Sequence, residues 1–409
     1  MTAADTTGRD VFDADLPTLS YEQLPSSAAA HAAIGAAHRQ APIAIGAHGP
    51  EILDYNLVRA VLRDDRFRVP EGLFLANQGI TSGPLWDRAI SNLLSLHGAP
   101  HTRLRKLVAR AFTPKSAARL RPICVEVIND LIARTDAGRC DMVADIARQY
   151  PIPIICALLG APREDWGLFS AWTDDIFKMF SWNLGDQAPV VERAWDALDG
   201  YVDAMVHRRT ETLTDDLLSD LIRAECDGDR LTHTELLMLA GGILIAGTDT
   251  TRNQLAAAVQ VLCEHPQQWS LLAGHPELAA HAVEELMRHT PVVFSTIRET
   301  LQDVELAGYL IPAGTLVVAN TAAANRDPAI YPEPDRLDIT REGAPAMLTF
   351  GGGVHYCLGV HLARLELVEA LVAITQAMPD AHIVGAVPWR PLTGISGPAA
   401  LPMEYALAG

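Results

Sequence analysis

Between about residues 100 and 290, apolar side chains recur at three- and four-residue spacing with polar ones filling the intervals. That period predicts helices over 101–112, 117–134, 141–160, 189–210, 215–224, 233–264, 267–273 and 277–289. Toward both ends the pattern shortens to brief apolar runs. These predict strands over 43–45, 52–55, 304–306, 315–320, 382–384 and 401–405. Gly and Pro punctuate 308–314 and 327–353. A further helix is predicted over 358–375, with Leu358, Leu362, Leu365 and Val372 on its apolar face and His361, Arg364, Glu366 and Glu369 on its polar face. The chain therefore reads as mainly α with a small β region: α-rich at about 90–290, β-rich at 40–60 and 300–409. Residues 1–20 carry Asp5, Asp10, Asp13 and Asp15 without a clear period, and read as a disordered start.

Composition narrows the function. Of 409 residues, 49% are hydrophobic and 20% charged, an ordinary globular mixture with ample core. The net charge of −18 argues against nucleic acid and anionic membrane as partners. No run of 18 apolar residues occurs, so no membrane anchor is expected. The start lacks a basic region followed by an apolar run, so no signal peptide is expected either. The cysteines at 124, 140, 156, 226, 263 and 357 lack paired or zinc-like spacing, which fits a reducing cytoplasm. One stretch departs from the acidic background. From His101 to Arg121 the chain carries Arg103, Arg105, Lys106, Arg110, Lys115, Arg119 and Arg121 and no acid. Such a run is commonly a solvated helix face; it also suits an acidic partner.

Phe350-Gly351-Gly352-Gly353-Val354-His355-Tyr356-Cys357-Leu358-Gly359 places one cysteine on a glycine-rich loop just before a helix. The glycines permit close backbone approach, and a helix N-terminus favours thiolate over thiol. The loop resembles the haem-ligand signature of the cytochrome P450 family, F-G-x-G-x-H-x-C-x-G, at every specified position. Chance agreement is about 10⁻⁸ per window at average residue usage, which sets aside a merely structural cysteine.

Two further motifs support that resemblance. In the apolar run 236–263, Gly241, Gly242 and Gly247, the threonines 248, 250 and 251, and Asp249 together make a poor helix for stability alone. The stretch is similar to the family's A-G-x-D-T-T element. Glu285-x-x-Arg288, followed by Pro334-Asp335-Arg336, follows the family's order, and the i,i+3 spacing lets Glu285 and Arg288 pair.

The resemblance implies a single domain over 21–409 with the family's triangular helical prism and a long central helix over haem. It implies haem b and O2, with Cys357 as the iron ligand and Phe350, Gly351, Gly353, His355, Gly359, Ala246 and Gly247 around the cofactor. His101, Arg105, Arg298 and His355 would hold its propionates. Asp249 would relay protons and Thr250 would direct them. Glu285, Arg288 and Arg336 would form a structural network. Phe74, Ile80, Trp86, Phe180, Gly242, Ile245, Ala246, Val293, Phe294 and Ile395 would line an apolar substrate pocket.

The implied activity is hydroxylation or epoxidation of a hydrophobic molecule such as a terpenoid, steroid, fatty acid or polyketide. The implied protein is a cytoplasmic monomer of bacterial, actinobacterial type. Electrons would come from a ferredoxin and its NAD(P)H-dependent reductase, docked near Arg103, Lys106, Arg110 and Lys115. An oxidative coupling enzyme on the same fold and a non-catalytic haem or ligand-binding protein remain the alternatives.

Overall fold

The computed structural model describes residues 8–73, 75–136, 138–180, 184–226, 231–392 and 394–406. Helix dominates, with three small sheets among the described residues. The longest helix, His233–Glu264, starts at a capping box: the Thr232 hydroxyl accepts from the Glu235 N–H while the Glu235 side chain accepts from the Thr232 N–H. Two predicted helices are interrupted by proline. The 141–160 period splits into a wide turn, Met142–Ala147, and the helix Pro151–Leu159. The 117–134 period becomes Pro114–Ala118 and Arg121–Ala133. Proline lacks the N–H that would continue a ladder but suits a first turn.

Met142–Leu159 is apolar enough to cross a membrane, yet 61% of it is buried in the protein and Pro151 breaks it. The strand expected over 52–55 ends at Ile52. Asp54 accepts from the Leu57 N–H and opens the helix Tyr55–Val61.

The described chain gathers into two compact units. The first comprises Met1–Pro70, Glu284–Cys357 and Pro388–Gly397. Its main sheet orders Ile43–Gly46, Gly49–Ile52, Leu316–Ala319, Thr296–Thr300 and Phe67–Arg68, with one parallel pairing, Gly49–Ile52 on Leu316–Ala319. The reading of 1–20 as disordered does not hold from Gly8 onward. Arg9–Asp10 pairs with Tyr309–Ile311, and Val11 is fully buried beside Ile43, Ile52 and Tyr331. Burial of Val11 and of Leu19 ties this segment down.

The second unit comprises Glu71–Val283, Leu358–Val387 and Pro398–Gly409. It holds His233–Glu264, Ala188–Thr210, Trp166–Ile176 and Val360–Ala377, with a small sheet ordered His382–Ile383, Pro402–Glu404, Arg139–Asp141.

Candidate active site

In the first unit, the cysteine loop depends on glycine at one position above all. Gly353 has φ +64°, and a Cβ there would lie 2.3 Å from the Leu62 carbonyl oxygen. Gly351 is also left-handed, at φ +71°. The Cys357 N–H donates to the Phe350 carbonyl at 3.0 Å, and the Phe350 ring meets Tyr356 edge-on. The helix Val360–Ala377 begins just beyond, with Gly359 at its N-cap. Cys357 and His355 are half-buried. The other described cysteine side chains are buried. Burial pushes the Cys140 and Cys263 thiols up to about 12 and those of Cys124 and Cys156 further, which keeps all four protonated and unreactive.

Arg298, on the strand Thr296–Thr300, tests whether this unit suits haem. Its guanidinium donates to the Ile297 carbonyl at 2.7 Å and to the Thr296 hydroxyl at 3.4 Å. It is only 5% exposed, and no carboxylate pairs with it among the described residues. Burial pushes its pKa down to about 10. A buried cation without an anion is strongly unfavourable. A haem propionate would supply the missing charge, so the residues fit the cofactor.

In the second unit, His101 and Arg105 lie one turn apart on Gly98–Val108. His101 is buried, and its pKa is lowered by that burial and then by the charges of Arg105 and His97. A carboxylate beside this pair would relieve the repulsion. The stretch Leu96-His97-Gly98-Ala99-Pro100 starts this helix at Gly98, with His97 at its N-cap.

On His233–Glu264, Asp249 is 1% exposed. It accepts from Arg252 Nε at 2.5 Å, and Arg252 also donates to Asp174 at 2.7 Å. Asp174 in turn pairs with Arg148, whose side chain is 54% exposed. Charges thus alternate from a buried acid to the surface. The Thr250 hydroxyl donates to the Ala246 carbonyl at 3.1 Å and that of Thr248 to Leu244 at 2.8 Å. Gly247 serves packing: a Cβ there would meet Ile155 at 2.7 Å. Ala246 is exposed.

Arg252 and Asp174 escaped the sequence reading, although an arginine three residues after Asp249 was the available signal. Glu366, assigned to a polar helix face, is instead buried. Its carboxyl is pushed well above the usual range by burial, an effect that a hydrogen bond with Thr251 offsets in part.

The scaffold network forms with one correction. Arg288 donates to both Glu285 oxygens, at 2.7 and 2.8 Å. The third side chain is Arg341, at 3.2 Å from Glu285. Arg336 points outward to Glu333 and Asp338 and contributes only its carbonyl, which accepts from Arg288. Two glutamate oxygens already filled by Arg288, Arg341 and the Asp338 N–H leave no room for it.

The pocket candidates divide. In the second unit, Ile80, Trp86 and Phe180 are half-buried and Ile245 is buried. Gly72, at φ +67°, leaves the space that the Trp86 ring fills. Gly242 faces open space with Asn92 Nδ2 nearby. In the first unit, Val293 bridges to Ile395 and both are half-buried. Phe294 is core, stacked on Tyr21 and His31. Phe74 lies outside the described residues. Of the basic run, Arg103 pairs with Glu235, Arg119 with Asp215 and Arg121 with Glu369, while Lys106, Arg110 and Lys115 are exposed.

Comparison with known proteins identifies the family. The family model "Cytochrome P450" matches residues 167–270 and 275–377. Luteothin monooxygenase of Streptomyces thioluteus is 36% identical over 81% of this chain and 82% of its own length. Mycinamicin IV hydroxylase/epoxidase of Micromonospora griseorubida is 37% identical over 86% of this chain and 88% of its own. The crystal structure of CalO2 superposes with a TM-score of 0.90 at 30% identity, covering 96% of this chain and 100% of that one. A likeness sustained over this much of the chain, with the cysteine loop intact, makes this protein a member of the cytochrome P450 family, a monooxygenase that binds haem b and uses O2.

Proposed function

We propose that this enzyme hydroxylates or epoxidises a hydrophobic secondary metabolite, of polyketide, terpenoid, steroid or fatty-acid type, in the cytoplasm and as a monomer. Relatives named as a hydroxylase/epoxidase of mycinamicin IV and a 25-hydroxylase of vitamin D(3) support an apolar small molecule as substrate. A ferredoxin, reduced by its NAD(P)H-dependent reductase, supplies electrons at the exposed Lys106, Arg110 and Lys115. Arg103, held by Glu235, contributes less than its sequence position suggests.

Cys357 holds the haem iron through its thiolate. Arg298, His101, Arg105 and His355 neutralise the propionates. The haem, so ligated, supplies the activation of O2. The protein's own task is then to bring protons to the site and keep bulk water out. The observation that carries this reading is Asp249, buried beside Thr250 yet linked through Arg252 and Asp174 to the surface. At rest Arg252 holds the carboxylate by a charge-assisted hydrogen bond. For Asp249 to take up a proton, Arg252 shifts its weight to Asp174, which lies within hydrogen-bond distance already. Thr250 receives the proton at Oγ1 and passes one on once it releases the Ala246 carbonyl.

The test begins with titration of the purified haem enzyme against polyketides, steroids, terpenoids and fatty acids, read as a low-to-high-spin shift. Product analysis follows with the strongest ligand. Gain of one oxygen is the expected result. Loss of two hydrogens without oxygen gain would replace hydroxylation with oxidative coupling.

A further inference from the structure

Asn92 closes the helix Pro84–Ser91 and is held on three sides. Its N–H donates to the Ala89 carbonyl, and its own carbonyl accepts from Ser95 and Leu96. Its side-chain Oδ1 accepts from the Leu94 N–H at 2.9 Å. That last bond fixes the amide's orientation, because only the oxygen can accept. Nδ2 must therefore point the other way, and it does so toward Gly242: it is the one neighbour within 4 Å of where a Gly242 Cβ would stand, at 3.8 Å. No acceptor bonds Nδ2 among the described residues. Between Leu239 and Val259, only Gly242, Ala246, Gly247 and Thr250 escape burial. Three of them share one face at four-residue spacing, so Gly242 lies about 6 Å along the helix from Ala246 and about 12 Å from Thr250.

We propose that Asn92 is a specificity-determining residue: its Nδ2 donates a hydrogen bond to an oxygen acceptor on the substrate, about 6–12 Å from the carbon that is oxidised. The inference rests on the reading above, that oxidation takes place near Thr250. It narrows the substrate class to oxygenated apolar molecules, such as ketones, lactones and ethers, over plain hydrocarbons. A ketone, lactone or ether oxygen only accepts, and two N–H donors suit it. Gly242 is what leaves room for that group, since any larger side chain would fill the space in front of Nδ2.

The experiment uses the haem-loaded enzyme and 1-alkylimidazoles, whose ring nitrogen anchors one end on the iron. A 1-dodecylimidazole is compared with analogues bearing one ketone at successive chain carbons, each titrated by the nitrogen-ligand absorption shift. In the wild type, ketones at one or two adjacent positions bind about 3- to 10-fold tighter than ketones elsewhere on the chain. Asn92→Asp retains the acceptor for Leu94 but lacks the donors, and Asn92→Leu lacks both. Both variants lose the position-dependent gain while the plain alkylimidazole binds within about twofold of wild type. A wild type with no preferred ketone position, or a preference that survives in both variants, overturns the role of Asn92. Absence of any absorption shift with the plain alkylimidazole overturns instead the haem-site reading beneath it.

Discussion

Two buried ion pairs in this protein have the same local form, an acid followed three residues later by an arginine on one helix, and they do opposite work. Glu285 and Arg288 sit in a closed arrangement. Arg288 spends its remaining donors on the carbonyls of Asn325, Pro334 and Arg336, and Glu285 takes Arg341 and the Asp338 N–H. Every partner is fixed, and nothing leads outward. Asp249 and Arg252 sit in an open one. Arg252 divides itself between two carboxylates, and the second is held by an arginine that reaches water. A pair is therefore made structural or chemical by what its partners are bonded to in turn. Backbone carbonyls cannot change charge; a carboxylate can.

The closed network should show the larger effect when broken. Arg288→Ala leaves Glu285 buried beside a lost bidentate partner, so stability falls by about 3–5 kcal/mol and haem content falls with it. Thermal unfolding and pyridine haemochrome assay read both. Arg336→Ala, at an exposed side chain, should leave both nearly unchanged, and a large loss there would restore Arg336 to the network.

Breaking the open network should strike chemistry. Asp249→Asn lowers product formation by roughly 100-fold, the ordinary scale for a lost proton relay. Thr250→Ala continues to consume reductant but releases mostly hydrogen peroxide. Product and peroxide yields per NAD(P)H measure the split; normal coupling in Thr250→Ala would remove that residue from the relay. Arg252→Lys keeps the charge but not the fork that spans Asp249 and Asp174. It should fall between wild type and Arg252→Ala in coupling, with a raised solvent isotope effect.

A third buried acid has no guanidinium partner and should show the smallest effect. Glu51 accepts from Asn320 at 2.8 Å, and burial raises its pKa to about 7. An acid with a raised folded pKa binds more protons when folded than when unfolded. Its stabilising contribution is present below about pH 4.5 and is lost as pH rises through about 7. Glu51→Gln should flatten the fall in melting temperature across that window, and an unchanged slope would contradict the shift.

Much of this was legible in the sequence for physical reasons. Gly353 is forced by the Leu62 carbonyl, so a glycine signature there reports real geometry. The helix 233–264 could be read because its period is long and its capping box strong. What stayed hidden depended on long-range closure. Nothing in the local pattern distinguishes Arg341 from Arg336, since the Glu285 they compete for lies some fifty residues away in the chain. Glu366 sits at a position that reads as polar, yet it is buried with Thr251 as its hydrogen-bond partner. The early strand at Arg9–Asp10 is too short for any period to show.

The central claim is that Cys357, the one cysteine among those whose side chains are described that escapes full burial, holds the haem iron as a thiolate. The reduced, CO-bound absorption spectrum of the wild type and of Cys357→Ser tests it most directly. The account predicts a strongly red-shifted Soret band in the wild type that the variant lacks. The same red-shifted band in Cys357→Ser, or its absence from the wild type, would contradict it.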